Sequence, residues 1–139
     1  MMPTATGDVL VVDDDADLRE SIVEILHLRG YPARACENGK QALAAIAAAA
    51  PALVLLDLMM PVLDGWTVLA RLRDEGTLAL DRVVVMTASE AEPPYGVRAL
   101  PKPFTVKQLL AVVRDADLLP AARPATAAIA AAAALAARR

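Results

Sequence analysis

The sequence predicts an α/β fold in which one parallel sheet is covered by helices on both faces. Val9–Val12, residues 53–56 and residues 83–86 are short continuous apolar runs rich in Val and Leu, the pattern of strands buried on both sides. The segments between them repeat apolar residues at helical spacing. Strands that alternate with helices imply right-handed crossovers and a single parallel sheet.

Taken in order, the first run leads into a helix over residues 15–29. Leu18, Ile22, Ile25 and Leu26 share one stripe, acidic residues open it, and Gly30 stands just past its end. Residues 32–36 give a weaker strand. A helix over residues 39–50 stops before Pro51, because proline disfavours helical backbone in the residue preceding it. The run 53–56 breaks at Asp57, the Asp64-Gly65 turn starts a helix over residues 66–75, and Gly76 ends it. Residues 83–86 form a fourth strand and residues 98–100 a short fifth. Thr105-Val106-Lys107-Gln108 has the spacing of a capping box, so a last helix runs to about Ala116.

The 139 residues suit one domain, expected over residues 1–119. Pro120 and Pro124 then mark a boundary, and the alanine-rich stretch beyond them, within a tail over residues 120–139, has high helix propensity. An isolated helix of about 15 residues is marginal in water, so the tail is expected to be frayed or dependent on packing, without chemistry of its own. It is also too short for an output domain, which makes a stand-alone protein the expectation.

Aromatic residues are only 3% of the chain, so the 57% hydrophobic fraction must build its core from Val, Leu and Ile. A net charge of −3 and the lack of a lysine or arginine run speak against direct nucleic-acid binding. The single Cys36 excludes an internal disulfide, and the start of the chain lacks a secretory pattern, so a cytoplasmic location is expected. The alanine tract falls short of the roughly 20 strongly apolar residues that a membrane span requires.

Chemistry concentrates at the strand ends. Asp13-Asp14-Asp15 closes the first run, Asp57 closes the third strand, Thr87 the fourth, and Lys102 follows the fifth. Ligands of such sheets bind beyond the carboxyl ends of the strands, so one rim could gather Asp13, Asp14, Asp57, Thr87 and Lys102. Acids, a cation and strand-end geometry describe a phosphoryl-transfer site. Asp15 reads as a helix cap, His27 as an exposed residue off the apolar stripe, Cys36 as a small buried group, and Trp66 as a packing or partner contact.

Over about Asp8 to Leu118 the chain resembles the receiver domain of two-component response regulators. The motifs are Val11-Val12-Asp13-Asp14-Asp15, the stretch from Asp57-Leu58-Met59-Met60-Pro61 to Asp64-Gly65, Thr87-Ala88 and Lys102-Pro103-Phe104. The resemblance implies a doubly wound, flavodoxin-like, five-stranded parallel sheet of order 2-1-3-4-5. It makes Asp57 the acceptor of a phosphoryl group from the phosphohistidine of a sensor histidine kinase or a histidine phosphotransfer protein. A carboxylate and a phosphoryl group repel each other unless a cation lies between them. Mg²⁺, a hard ion that favours oxygen ligands, suits that task. By position its ligands would be Asp13, Asp14, Asp57 and the Met59 carbonyl. Lys102 would meet the phosphoryl oxygens, the Thr87 hydroxyl would close on them, and the Ala88 amide would assist. The Lys102-Pro103 bond is expected to be cis.

Two departures stand out. Three residues before the lysine, where the family usually carries an aromatic residue, stands Ala99. The interval from Thr87 to Lys102 is short and holds Pro93, Pro94 and Gly96, so the fourth helix is expected to be absent or a single turn. Tyr95 is the candidate substitute for the missing aromatic. The expected protein is therefore a phospho-acceptor that catalyses only its own phosphorylation and dephosphorylation, with an atypical output face and an unknown downstream protein as partner. A homodimer is compatible with the sequence. The rivals are a pseudo-receiver that acts as a phosphorylation-independent interaction module, and an aspartate-nucleophile phosphatase of the haloacid dehalogenase type. The latter's spacing of two acids followed by Thr or Val is not met at Asp13-Asp14-Asp15-Ala16-Asp17.

Overall fold

The structure, a computed structural model, describes residues 7–88 and 92–116; the expected boundary near Pro120 and the tail lie outside them. Five strands, β1 (Val9–Val12), β2 (Ala33–Cys36), β3 (Leu53–Asp57), β4 (Val83–Thr87) and β5 (Arg98–Pro101), alternate with α1 (Ala16–Leu28), α2 (Gly39–Ala48), α3 (Gly65–Glu75) and α4 (Val106–Asp115). The sheet is parallel throughout, in the order β2-β1-β3-β4-β5. Its register sets Val12 beside Leu56, and Asp57 beside Met86. The carboxyl ends of β1, β3 and β4 thus share one edge.

The buried runs divide by alternation, as strand geometry requires. Leu10, Val12, Val54, Leu56, Val83 and Val85 face α2 and α3, where they meet Ala42, Ile46, Val68, Leu69 and Leu72. Val9, Val11, Leu53, Leu55, Val84 and Met86 face α1 and α4, against Ile22, Leu26, Leu109, Val112 and Val113. Burying each large aliphatic side chain stabilises the fold by about 1.5–3 kcal/mol, so both layers are needed to offset chain entropy.

Each helix begins on a side-chain cap. Asp15, Asn38, Asp64 and Thr105 accept from the backbone N–H of Leu18, Gln41, Thr67 and Gln108, and Gln108 returns a bond to Thr105 in a capping box. Such a cap contributes about 1 kcal/mol. At the opposite edge of the sheet, buried Asp8 pairs with Arg34, whose guanidinium also donates to the Ala49 carbonyl at 2.7 Å. One side chain there ties the start of β1 to the end of α2.

The connection from β4 to β5 differs from the others. Its described residues hold one 3-10 turn, Pro94–Gly96, and no α-helix, as the short interval and its prolines predict. Tyr95 does not turn inward. It has φ 60° and is 45% exposed, and the Arg73 guanidinium lies 4.3 Å from its ring centroid. A second 3-10 turn, Leu80–Arg82, leads into β4 and has no counterpart in the periodicity.

Gly65 fixes how closely α3 approaches the end of β3. A Cβ there would stand 2.5 Å from the Asp57 carbonyl oxygen and 2.7 Å from the Leu58 Cα, both backbone atoms that cannot swing away. Gly76 has positive φ but nothing within 4 Å of its would-be Cβ. Gly65→Ala is therefore expected to cost about 2–3 kcal/mol through overpacking. Gly76→Ala should cost only about 1–2 kcal/mol, from backbone strain alone. Urea unfolding of both variants measures the difference, and equal losses would contradict the assigned contact.

Candidate functional site

Asp13 follows β1 directly, and Asp57 is the last residue of β3, one position further along the chain than periodicity predicts for that strand. Strand pairing therefore delivers both carboxylates to the same edge. Asp13 is fully buried and Asp57 nearly so, whereas Asp14 is exposed. Carboxylate oxygens of Asp13, Asp14 and Asp57 all lie within 4.8 Å of one another.

Lys102 enters from the end of β5. Its backbone N–H donates to the Thr87 carbonyl at 2.8 Å, and the Lys102-Pro103 bond that follows is cis. Its Nζ lies 2.9 Å from Asp13 Oδ2 and 3.6 Å from Asp57 Oδ1. The ammonium therefore hydrogen-bonds to Asp13 and stands beside Asp57 at ion-pair distance. Asp13 Oδ1 accepts from the Asp15 N–H at 2.9 Å, and Asp57 Oδ1 from the Met59 N–H at 3.2 Å.

Two carboxylates shielded from water beside a third, with one ammonium among them, should resist full ionisation. The Asp57 carboxyl is pushed up to about 6, first by burial and then by the charge of Asp13, against the opposing pull of Lys102 and the Met59 amide. Repulsion within the cluster is foreseeable from the sequence, but burial is the larger cause. Burial pulls Lys102 down more than any other single influence, yet its hydrogen bond to Asp13 and the charges of Asp13 and Asp57 together raise it above the usual lysine value.

Thr87 is buried at the end of β4, while Ala88 is exposed. Ala88, Leu18, Lys102, Pro103 and Phe104 line one depression. Met59 is 73% exposed, and its backbone N–H is the group bonded to Asp57. His27 is exposed, with Nε2 3.2 Å from the Ala33 carbonyl. Cys36 is buried, and burial raises its thiol pKa against the charges of Arg34 and Arg19.

Three carboxylates with oxygens this close form a donor set for a hard divalent cation. Asp13, Asp14 and Asp57 fit that group, and the raised Asp57 pKa marks negative charge that a cation would relieve.

A family model described as the response regulator receiver domain matches residues 9–114. The chain belongs to that family. Response regulator MprA of Mycolicibacterium vanbaalenii is 40% identical over 111 residues, which cover 76% of this chain and 48% of the relative. The chain spans about half the length of the curated relatives it matches. Among solved structures, the receiver domain of the hybrid histidine kinase CckA is 31% identical with TM-score 0.67, covering 78% of this chain and 97% of that one. Thermotoga maritima TrrA, solved in complex with Mg²⁺ and BeF, is 26% identical with TM-score 0.69, covering 81% and 98%. Vibrio cholerae CheY4 matches with TM-score 0.71 over 82% and 98% at 23% identity, a likeness of fold.

Sequence reasoning missed Arg19, whose Nη1 donates to the Asp13 carbonyl at 2.7 Å. Its place four residues past the Asp15 cap gives no more signal than any solvated helix arginine. The close approach at Gly65 was equally hidden.

The raised pKa has a definite sign. A carboxyl that binds its proton more tightly when folded contributes stability below its ordinary value of 3.8, and loses it as pH rises through about 6. Asp57→Asn should abolish that loss and, in EDTA at neutral pH, stabilise the protein by about 1–2 kcal/mol. Urea unfolding between pH 4 and 8 checks both. An unchanged pH dependence in the variant would contradict the assigned shift.

Proposed function

We propose that this receiver accepts a phosphoryl group on Asp57, in a Mg²⁺-dependent step, from the phosphohistidine of a histidine kinase or a histidine phosphotransfer protein. The observation that carries the reading is the convergence of Asp13, Asp14, Asp57 and Lys102 on one rim. In the transfer, an Asp57 oxygen forms a bond to phosphorus while the phosphorus–nitrogen bond breaks, and the electron pair leaves with the imidazole. A bound Mg²⁺ supplies charge neutralisation between the carboxylate and the phosphoryl oxygens. Asp13, Asp14, Asp57 and the Met59 carbonyl are its proposed ligands.

The chain's own groups do the remaining work. Lys102, fixed by Asp13, offers an ammonium to the phosphoryl oxygens, and the Thr87 hydroxyl and Ala88 amide take positions on the same group. Asp57 must be ionised to act as nucleophile, so neutral pH and cation binding both favour transfer. The protein catalyses only its own phosphorylation and dephosphorylation, works in the cytoplasm, and signals by binding a downstream protein or by passing the phosphoryl group onward.

The helix-free described part of the β4 to β5 connection, with Ala99 rather than an aromatic residue on β5, favours an atypical output face. It also gives weight to a second reading, a module that binds its partner without phosphorylation.

Incubation with acetyl phosphate and Mg²⁺, read by intact mass, separates the readings. The expected result is one stable phosphoryl addition, absent in Asp57→Asn and in EDTA, and slowed about 10²-fold in Lys102→Ala. No addition to the parent chain would favour the phosphorylation-independent module. Catalytic release of phosphate with turnover would indicate a phosphatase.

A further inference from the structure

We infer that Arg19 is a positioning residue for the cation site: its guanidinium clamps the peptide that joins Asp13 to Asp14 and so helps to aim a carboxylate that has no hydrogen bond or ion pair of its own among the described residues. The inference rests on the reading of Asp13, Asp14 and Asp57 as that site. Arg19 lies in the first turns of α1, half-buried, and its Nη1 donates to the Asp13 carbonyl at 2.7 Å. That carbonyl belongs to the peptide joining Asp13 to Asp14. On the other side of Asp14, the Asp15 N–H donates to Asp13 Oδ1 at 2.9 Å.

The three acids are held very differently. Asp13 is fixed by Asp15 and Lys102, and Asp57 by the Met59 N–H and the register of β3. Among the described residues, no hydrogen bond or ion pair reaches the Asp14 carboxylate, and the residue is exposed. Its direction therefore depends on the two peptides that flank it. Arg19 holds one of them, and the second is held by the Asp13 carboxylate. The hydrogen-bonded backbone of α1 anchors Arg19 in turn, since its own N–H donates to the Asp15 carbonyl at 2.9 Å. Helix, clamp and the Asp13–Asp14 peptide are thus joined by hydrogen bonds.

Arg19 is also a positive charge near a site for a positive ion, and this separates positioning from simple electrostatics. If charge alone mattered, removing the guanidinium would tighten Mg²⁺ binding. If positioning matters, removing it weakens binding, and a neutral donor restores it. Outer groups that orient metal ligands typically contribute about 10- to 100-fold in affinity. Acting through a peptide rather than on the ligand itself, Arg19 belongs at the lower end.

The test is calorimetric Mg²⁺ titration of Arg19→Ala and Arg19→Gln, with amide hydrogen exchange of the metal-free proteins. Arg19→Ala should weaken Mg²⁺ about tenfold and speed exchange of the Asp15 N–H, while core amides in β1 and β3 keep their protection. Arg19→Gln, which retains an N–H donor, should stay within about threefold of the parent chain. Binding in Arg19→Ala as tight as in the parent chain, or tighter, would overturn the inference. So would equal losses in both variants accompanied by loosened core amides, which would mark a merely structural arginine. Asp14→Asn is the control for the underlying reading. If it binds Mg²⁺ as well as the parent chain does, the cation site itself is misassigned, and exchange at Asp15 in Arg19→Ala still reports whether Arg19 steadies the Asp13–Asp15 turn.

Discussion

Lys102 and Asp13 meet inside a rim that would otherwise hold only negative charge, and the rest of the site is arranged around that pair. A buried ion pair is seldom a net source of stability, because both partners give up water to form it. Its effect here is geometric. With Asp13 engaged at 2.9 Å, the ammonium rests 3.6 Å from Asp57, hydrogen-bonded to one carboxylate and at ion-pair distance from the other. The fold delivers this arrangement through strand register, since β1 and β3 end side by side and β5 returns its lysine to the Thr87 carbonyl. Stability is given up at the rim and regained in the two aliphatic layers behind it.

Much of this was legible in the sequence because the dominant signals were local. Continuous Val and Leu runs need burial on both faces, and β1, β3 and β4 stand where those runs place them, while β2 and β5, partly exposed, carried a weaker pattern. Three helix starts were equally readable, since Asp15, Asp64 and Thr105 are short polar side chains that can accept from the first turn, whereas the Asn38 cap emerged only in the structure. The gathering of Asp13, Asp14, Asp57 and Lys102 followed from one rule about strand ends. What stayed hidden depends on distance between elements. The Arg19 clamp, the stacking of Tyr95 on Arg73 and the contact under Gly65 join atoms whose proximity no periodicity encodes. The pKa of Asp57 belongs to the same group, for its main cause is burial, a property of the assembled rim.

The β4 to β5 connection departs from the other crossovers of the sheet. Parallel strands are usually joined by a crossover helix that can shift as a body. Here the described part of the link is a 3-10 turn, and its aromatic side chain is turned toward Arg73 on α3. Ala99 packs against the layer under α2 and α3 with a side chain that has no rotamer to switch. In the described part of this link, the side-chain contact between Tyr95 and Arg73 takes the place of a helix face.

If, as proposed, the acids at this rim form one cation site, Asp57 is partly protonated until the ion arrives. Calorimetric titration of Mg²⁺ in buffers of different ionisation enthalpy counts the protons released on binding. With Asp57 near 6, the account predicts release of about half a proton per ion at pH 6 and almost none at pH 8. Binding without proton release at pH 6 would contradict it.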